Sequence, residues 1–297
     1  MSFIEVIGVD KSFGTGKAIK PVLRDICLSV ERGEFTSIVG PMGSGKSTFL
    51  SILAGLTAPD AGTVTIDGSP VNGIRRDTAF VFQNYSLLPW FTALENVRLA
   101  VHAALPEMTA EEQRAQAQHA LEQVGLASAL HRRPSQLSGG MRQRVAIARA
   151  FATRPKVLFL DEPFGALDAL TRETLQQDLA QLCSSAERPV TVVMITNNVE
   201  EALLLSDHIV PIMAGPPATL GSPIPIVLPR PRTVAHLAHD EQASHVRVHV
   251  VATLTSALGS RKRQRHVEST TQAATIAQAQ ACALPARSTG PLAPAEE

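Results

Sequence analysis

Gly40-Pro41-Met42-Gly43-Ser44-Gly45-Lys46-Ser47 follows at once on the aliphatic run Phe35–Val39 and leads through Thr48 into the helical sequence ending at Leu53. Strand, glycine loop and helix in that order make half of an α/β unit. The octapeptide fits G-x-x-x-x-G-K-[ST], and the flanking strand and helix are the context this pattern needs. Its physics is anion binding. Glycines let backbone N–H groups turn inward around phosphate oxygens, and the helix N-terminus adds partial positive charge. Lys46 reaches the β- and γ-phosphates and Ser47 can ligate Mg²⁺. A glycine turn of chance spacing is the plain alternative, disfavoured by the flanking elements.

Two further apolar runs, Val157–Leu160 and Val190–Thr196, are short and β-branched or aliphatic, as strands covered on both faces of a parallel sheet must be. Between them Leu175, Leu179 and Leu182 recur at i, i+4 and i+7, an apolar stripe for a helix packed on the sheet. Asp161 and Glu162 therefore fall at the C-terminal end of a buried strand, the edge where open α/β sheets bind ligands. Asp161 is suited to hold Mg²⁺ through water, and Glu162 to polarise the water that attacks a γ-phosphate. A solvated acidic pair is the bland reading of these two residues alone; beside the glycine loop it loses weight.

From about residue 84 to 152 the texture becomes helical. Thr109 and Glu112 form a capping box, Ala117, Leu121 and Val124 a stripe, and Gly125 a stop; Met141, Val145 and Ala148 stripe a later helix that ends before Pro155. These features predict a helical subdomain inserted into the α/β core. Beyond Ala214 the proline-rich run from Pro216 to Pro231 predicts extended segments or a short strand. Residues 259–297 show no core-building period and are expected to be a disordered tail. The predicted organisation is thus a domain over 1–232, an extension over 233–258 and the tail.

Charge narrows the partners. Lys+Arg and Asp+Glu each number 27, and aromatics make up 4%, which argues against a basic or base-stacking nucleic-acid surface. Cys27, Cys183 and Cys282 lack metal or disulfide spacing and fit a reducing cytoplasm. The first ten residues carry Glu5 and Asp10 and lack the pattern of a signal peptide, and no apolar run approaches the roughly 18 residues that span a bilayer. Any link to a membrane is expected through a partner protein.

The glycine loop alone admits kinases, GTPases and many ATPases, but no N-K-x-D guanine-reading motif is present. Leu137-Ser138-Gly139-Gly140-Met141-Arg142-Gln143 resembles the signature motif, usually L-S-G-G-Q, of ATP-binding cassette (ABC) ATPases. In isolation S-G-G reads as a turn; here Ser138 can cap the following helix while Gly139 and Gly140 expose donors for a phosphate. The resemblance covers about residues 3–230, with its elements in family order.

It implies an α/β P-loop NTPase fold: an ABC nucleotide-binding domain with a RecA-like mixed sheet core, an antiparallel β subdomain and the inserted α-helical subdomain. It further implies ATP and Mg²⁺ as cofactors. Phe13 corresponds to the aromatic that stacks on adenine, with a core role as the alternative. Gln83 corresponds to the glutamine that senses Mg²⁺ and the γ-phosphate, making Ser47, Gln83 and Asp161 the implied metal set. Asp168, in Ala166-Leu167-Asp168, matches the D-loop, which crosses the dimer interface. Nucleotide is sandwiched between Gly40–Thr48 of one subunit and Ser138, Gly139, Gly140 and Met141 of the other, so a monomer is expected to be incomplete.

One departure stands out. Where the family usually has a switch histidine the chain reads Thr196-Asn197-Asn198, and Asn197 donates a neutral hydrogen bond but carries no charge. With Lys46, Asp161 and Glu162 intact, Glu162 is expected to supply the base function and Asn197 to position phosphate. The run Thr196–Asp207, with Gly215–Gly221 and Leu228–Arg232, resembles ATPases of nitrate, nitrite, cyanate and bicarbonate importers. Leu87-Leu88-Pro89-Trp90 is similar to the wider nitrate, sulfonate and taurine group.

The resemblance implies a pair of ATPase subunits, homo- or heterodimeric, beneath two membrane-spanning permease subunits on the cytoplasmic face of the inner membrane, served by a solute-binding protein. Nucleic acid is not among the expected partners. Trp90 suits the socket for the membrane subunits, with a buried subdomain tryptophan as the alternative. Arg261, Lys262, Arg263, Arg265 and His266 read as a solvated run, with contact to anionic lipid the alternative. The rival classes are a weakly active regulatory cassette, suggested by Asn197, and a soluble ABC ATPase, which would normally bring coiled-coil insertions or a second cassette.

Overall fold

The computed structural model describes residues 2–185, 189–213, 215 and 217–255; the tail expected from residue 259, with its basic cluster, lies outside the described residues. In chain order the first elements are β1 (Ile4–Phe13), β2 (Lys20–Val30), β3 (Phe35–Val39), α1 (Lys46–Leu53), β4 (Ala61–Ile66), β5 (Ser69–Pro70) and β6 (Thr78–Val81). Three helices follow, α2 (Ala93–Ala104), α3 (Ala110–Gln123) and α4 (Gly139–Phe151). Then come β7 (Val157–Asp161), α5 (Ala169–Ser185), β8 (Thr191–Thr196), α6 (Val199–Leu205), β9 (His208–Met213), β10 (Thr219–Leu220), β11 (Ile224–Pro225) and α7 (Val234–His239). A last helix, α8, covers 241–255.

Two sheets organise these elements. An antiparallel sheet runs β2-β1-β4-β5, and a mixed sheet runs β10-β9-β3-β8-β7-β6 with β11 also on β9. Neighbours β9, β3, β8, β7 and β6 are parallel, so β3, β7 and β8 end at one edge, where the glycine loop, Asp161 and Asn197 begin or follow.

The continuous apolar character of the inner strands has its reason in the packing. Leu158, Leu160, Val192 and Met194 face a core shared with α2–α6, whereas Val157, Phe159, Val193 and Ile195 face a second core built with α1 and the antiparallel sheet. Side chains alternate across a strand, so a strand covered on both faces needs apolar residues at every position. Phe159 is 0% exposed, and truncating it to alanine would cost about 3–5 kcal/mol.

The helical segment is fixed by its caps. Thr92 with Glu95 and Thr109 with Glu112 form reciprocal capping boxes on α2 and α3, and Gly125 at φ +73° ends the turn after α3. Asn96, buried on α2, donates to the carbonyls of Leu88, Phe91 and Thr92 and so pins the loop that holds Trp90 outward. Trp90 is 64% exposed, which excludes the buried alternative.

The proline-rich run forms the short edge strands β10 and β11, as an extended segment should. The expected extension over 233–258 folds into α7 and α8 within its described residues. Thr233 accepts from His236 N and Asp240 accepts from Ala243 N, two N-caps, and Ala243, Val246, Val250 and Leu254 turn one face of α8 to the core. Buried Arg232 fastens this end of the chain by donating to the carbonyls of Leu203, Ser206 and Leu228.

Candidate nucleotide site

Gly45 sits at φ +91° before α1, and a Cβ there would meet Leu23 and Val22 at 3.0 and 3.1 Å, so only glycine lets the loop pass β2 in this conformation. Gly43 is also left-handed, and no acidic side chain occupies the first turn of α1. The helix therefore carries no carboxylate of its own at its N-terminal donors. Pro41 and Thr48 are half-buried and Met42 is 82% exposed on the outer side of the loop. Ser44 is 4% exposed and its hydroxyl has no hydrogen-bond partner among the described residues, an orphan that a phosphate oxygen would satisfy.

Lys46 is 4% exposed. Its ammonium donates to the carbonyls of Gly40 at 2.9 Å and Pro41 at 3.0 Å and stands 3.7 Å from Glu162 Oε1. Burial pulls the Lys46 amine below the ordinary lysine value, against the opposing pull of Glu162 and Asp161. Ser47 Oγ donates to Asp161 Oδ1 at 3.2 Å. Burial raises the Asp161 carboxyl, and the Ser47 bond partly offsets it.

Gln83, just beyond β6, donates its amide Nε2 to Glu162 Oε2 at 3.2 Å. Glu162 itself sits in the left-handed region at φ +43°, with its N–H donated to Ile195 O at 3.0 Å. The backbone of β7 thus turns at the sheet edge and aims the carboxylate between Lys46 and Gln83. Holding a non-glycine residue there costs about 1–3 kcal/mol, and such strain persists only where the surroundings over-determine it.

The structure brings Lys46, Ser47, Gln83, Asp161 and Glu162 into one cluster. Hydroxyl, carboxylate and amide oxygens are hard donors of the kind Mg²⁺ takes alongside substrate phosphates, and Gln83 keeps its Oε1 free of the bond to Glu162. Asn197 is exposed directly after β8, while its neighbour Asn198 is committed to capping α6 by accepting from Glu200 N at 2.9 Å.

The other expected residues lie apart. Phe13 ends β1 with 47% exposure and Lys11 Nζ 5.5 Å from its ring centroid, so it is not a core side chain. Ser138 caps α4, accepting from Met141 N at 3.2 Å, and Gly139 and Gly140 open the helix. A Cβ on Gly140 would lie 2.4 Å from Thr171 Cγ2. Asp168 caps α5 by accepting from Thr171 N at 3.0 Å, a bond that holds its carboxyl below the usual range.

Sequence reasoning missed the residues that join these parts. Arg172 donates to Leu167 O at 2.9 Å and lies 3.9 Å from Glu201, which accepts from Thr196 Oγ1 at 2.6 Å. Arg149 donates to the carbonyls of Ser86 and Tyr85. Neither arginine belongs to a spacing pattern; their hydrogen bonds go to backbone carbonyls, which leave no trace in side-chain chemistry, and the Glu201 partner of Arg172 lies on a different element.

Residues 23–165 match the ABC transporter family. Over 245 residues the chain is 47% identical to the nitrate import ATP-binding protein NrtD of Synechococcus elongatus, covering 82% of this chain and 89% of that protein. The chain belongs to the ATP-binding subunits of ABC transporters. As an ABC ATPase it resembles the nitrate transport protein NasD of Klebsiella oxytoca at 44% identity over 84% of this chain and 94% of that one.

The bicarbonate transport ATP-binding protein CmpC of Synechococcus elongatus is 45% identical over 84% of this chain, which spans 37% of that longer protein. Among solved structures, a dimeric post-hydrolysis ATP-binding cassette bound to ADP and phosphate superposes with a TM-score of 0.67. That match is 35% identical and covers 75% of this chain and 98% of the other. The ABC cassette fold expected from the signature sequence is the fold observed, and the family binds and hydrolyses ATP. Among the described residues no helix is long and apolar enough to cross a membrane.

Proposed function

We propose that this chain hydrolyses ATP to drive uptake of a small inorganic anion, nitrate or nitrite before bicarbonate. It works as one of a head-to-tail pair under two membrane-spanning permease subunits at the cytoplasmic face of the inner membrane, fed by a solute-binding protein. The similarity to nitrate and bicarbonate ATP-binding proteins supports the solute class.

The observation that carries the ATPase reading is the placement of Glu162 between Lys46 at 3.7 Å and Gln83 at 3.2 Å at the edge of the mixed sheet. ATP would lie with its phosphates in Gly40–Thr48 and its adenine against Phe13. Lys46 would exchange its loop carbonyls for phosphate oxygens. Ser47, Asp161 and Gln83 would hold Mg²⁺, which neutralises phosphate charge when bound. Glu162 takes the proton of the attacking water, and Asn197 holds the γ-phosphate by a neutral hydrogen bond. Ser138, Gly139, Gly140 and Met141 would close the site of the second subunit, with Asp168 at the interface.

Purified protein should turn over ATP, and Glu162→Gln should lower turnover by on the order of 100-fold or more while ATP still binds. Equal turnover in both would leave a regulatory cassette as the better reading, which Asn197 favours. Growth of a deletion strain on nitrate, cyanate or taurine, with bicarbonate uptake in parallel, assigns the solute.

A further inference from the structure

Arg149 lies on the last turn of α4, the helix that Ser138 and the signature glycines begin. Burial lowers its guanidinium below the usual arginine value, and no carboxylate pairs with it among the described residues. Its partners are two consecutive carbonyls: Nη2 donates to Tyr85 O at 2.7 Å and Nη1 to Ser86 O at 2.6 Å. Tyr85 and Ser86 are both left-handed, at φ +64° and +45°. The turn has local bonds, Tyr85 N to Phe82 O, Ser86 N to Asn84 O and Ser86 Oγ to Asn84 Oδ1, and the planar fork bridging both carbonyls adds the tie that joins this strained pair to α4. Gln83, whose amide reaches Glu162, stands two residues upstream.

The start of the same helix touches the same turn. The Arg142 guanidinium lies 5.8 Å from the Tyr85 ring centroid, and a Cβ on Gly139 would be 3.8 Å from the Tyr85 hydroxyl. Tyr85 is therefore gripped through its ring near the signature and through its backbone at the far end of α4.

The geometry points to Arg149 as a positioning residue that makes the signature helix and the Gln83 turn one mechanical unit, so that displacement of α4 shifts Gln83 against Glu162. This rests on the proposed function, in which the signature serves the partner subunit's nucleotide and Gln83 the chain's own. Arg149 then couples the two sites, and ATP turnover is cooperative because of it.

A double-mutant cycle between Arg149 and Gln83 in the full chain tests this. Arg149→Ala and Gln83→Ala should each lower kcat by about tenfold or more, and the double variant should fall no more than about threefold below the weaker single one. Arg149→Ala should also bring the Hill coefficient for ATP to about one while nucleotide affinity changes less than about threefold.

Arg144, on the same helix, donating to Val124 O and ion-paired with Asp178, reports mere loosening of α4. Its alanine variant should lower the melting temperature, and its effect should multiply with that of Gln83→Ala. If Arg149→Ala does not fold, Arg149→Lys carries the same cycle, since an ammonium cannot bridge both carbonyls in a planar fork. Multiplicative losses for Arg149 with Gln83, or an unchanged Hill coefficient, overturn the coupling. If the wild type still turns over ATP in a Glu162-dependent way, the proposed function survives that outcome.

Discussion

Lys46 Nζ faces Glu162 Oε1 across 3.7 Å while its hydrogen bonds run back to Gly40 and Pro41. The loop thus holds its own lysine by two carbonyls beside the Glu162 carboxylate, at the cost of a buried charge. Because burial lowers the folded value of Lys46, the unfolded chain binds more protons at alkaline pH. Stability from this group accordingly rises as pH climbs from the folded value to the ordinary one.

Phosphate restores the charge, so ATP binding should take up protons in the alkaline range just below the ordinary lysine value. Calorimetric titrations in buffers of different ionisation heat measure this. Alkaline uptake that persists in Lys46→Met would assign it elsewhere. Removing the ammonium should also weaken ATP binding by about 1.5–3 kcal/mol.

No imidazole belongs to the cluster of Lys46, Ser47, Gln83, Asp161 and Glu162, and Asn197 stands exposed where the family usually has one. Turnover should therefore show no inflection near pH 6.5, whereas Asn197→His should gain one at about that pH. Asn197→Ala should lose one neutral hydrogen bond, lowering kcat roughly 2- to 10-fold. An alanine variant as fast as wild type removes this side chain from the reaction.

Gly140→Ala puts a methyl group 2.4 Å from Thr171 Cγ2, and the β-branched side chain cannot step aside easily. The substitution should cost about 1–3 kcal/mol of stability. Thr171→Ser removes the offending methyl, and the bond from Thr171 N to Asp168 is a backbone bond that survives it. Chemical denaturation of the double variant should recover most of the loss; no recovery means the strain lies elsewhere.

Trp90 is 64% exposed on a loop pinned by Asn96, so Trp90→Ala should change stability by no more than about 0.5 kcal/mol. Solution ATP turnover should stay within about twofold, and co-purification of the membrane subunits should be lost. Retained co-purification would leave Trp90 without a docking role.

Much of the candidate site was legible because its signals are local. Phe35–Val39 and Lys46–Leu53 are the observed β3 and α1, and Thr109 with Glu112 forms the capping box read from spacing. What stayed hidden is tertiary. Arg149 bonds carbonyls more than sixty positions away, and Glu162 takes a left-handed backbone that no propensity predicts for glutamate. The helices α7 and α8 were missed because their caps sit in a stretch rich in His and Val, poor in leucine, whose apolar stripe of Leu237, Ala243, Val246, Val250 and Leu254 finds its core only in the folded molecule. Leu182 lies at the stripe position expected for α5 but is only partly buried, at the rim of the core.

The double cover over β7 and β8 has a consequence for how the molecule opens. Leu158, Leu160, Val192 and Met194 are sealed by one core and Val157, Phe159, Val193 and Ile195 by the other, so no single helix lifting away exposes these amides to solvent. Their deuterium exchange should follow the opening of the whole molecule, while α7 and α8 exchange by lesser openings. Protection of these two strands is thus a clock for the folded lifetime of the protein, and Asp161 and Asn197 at their ends keep their places for as long as it runs.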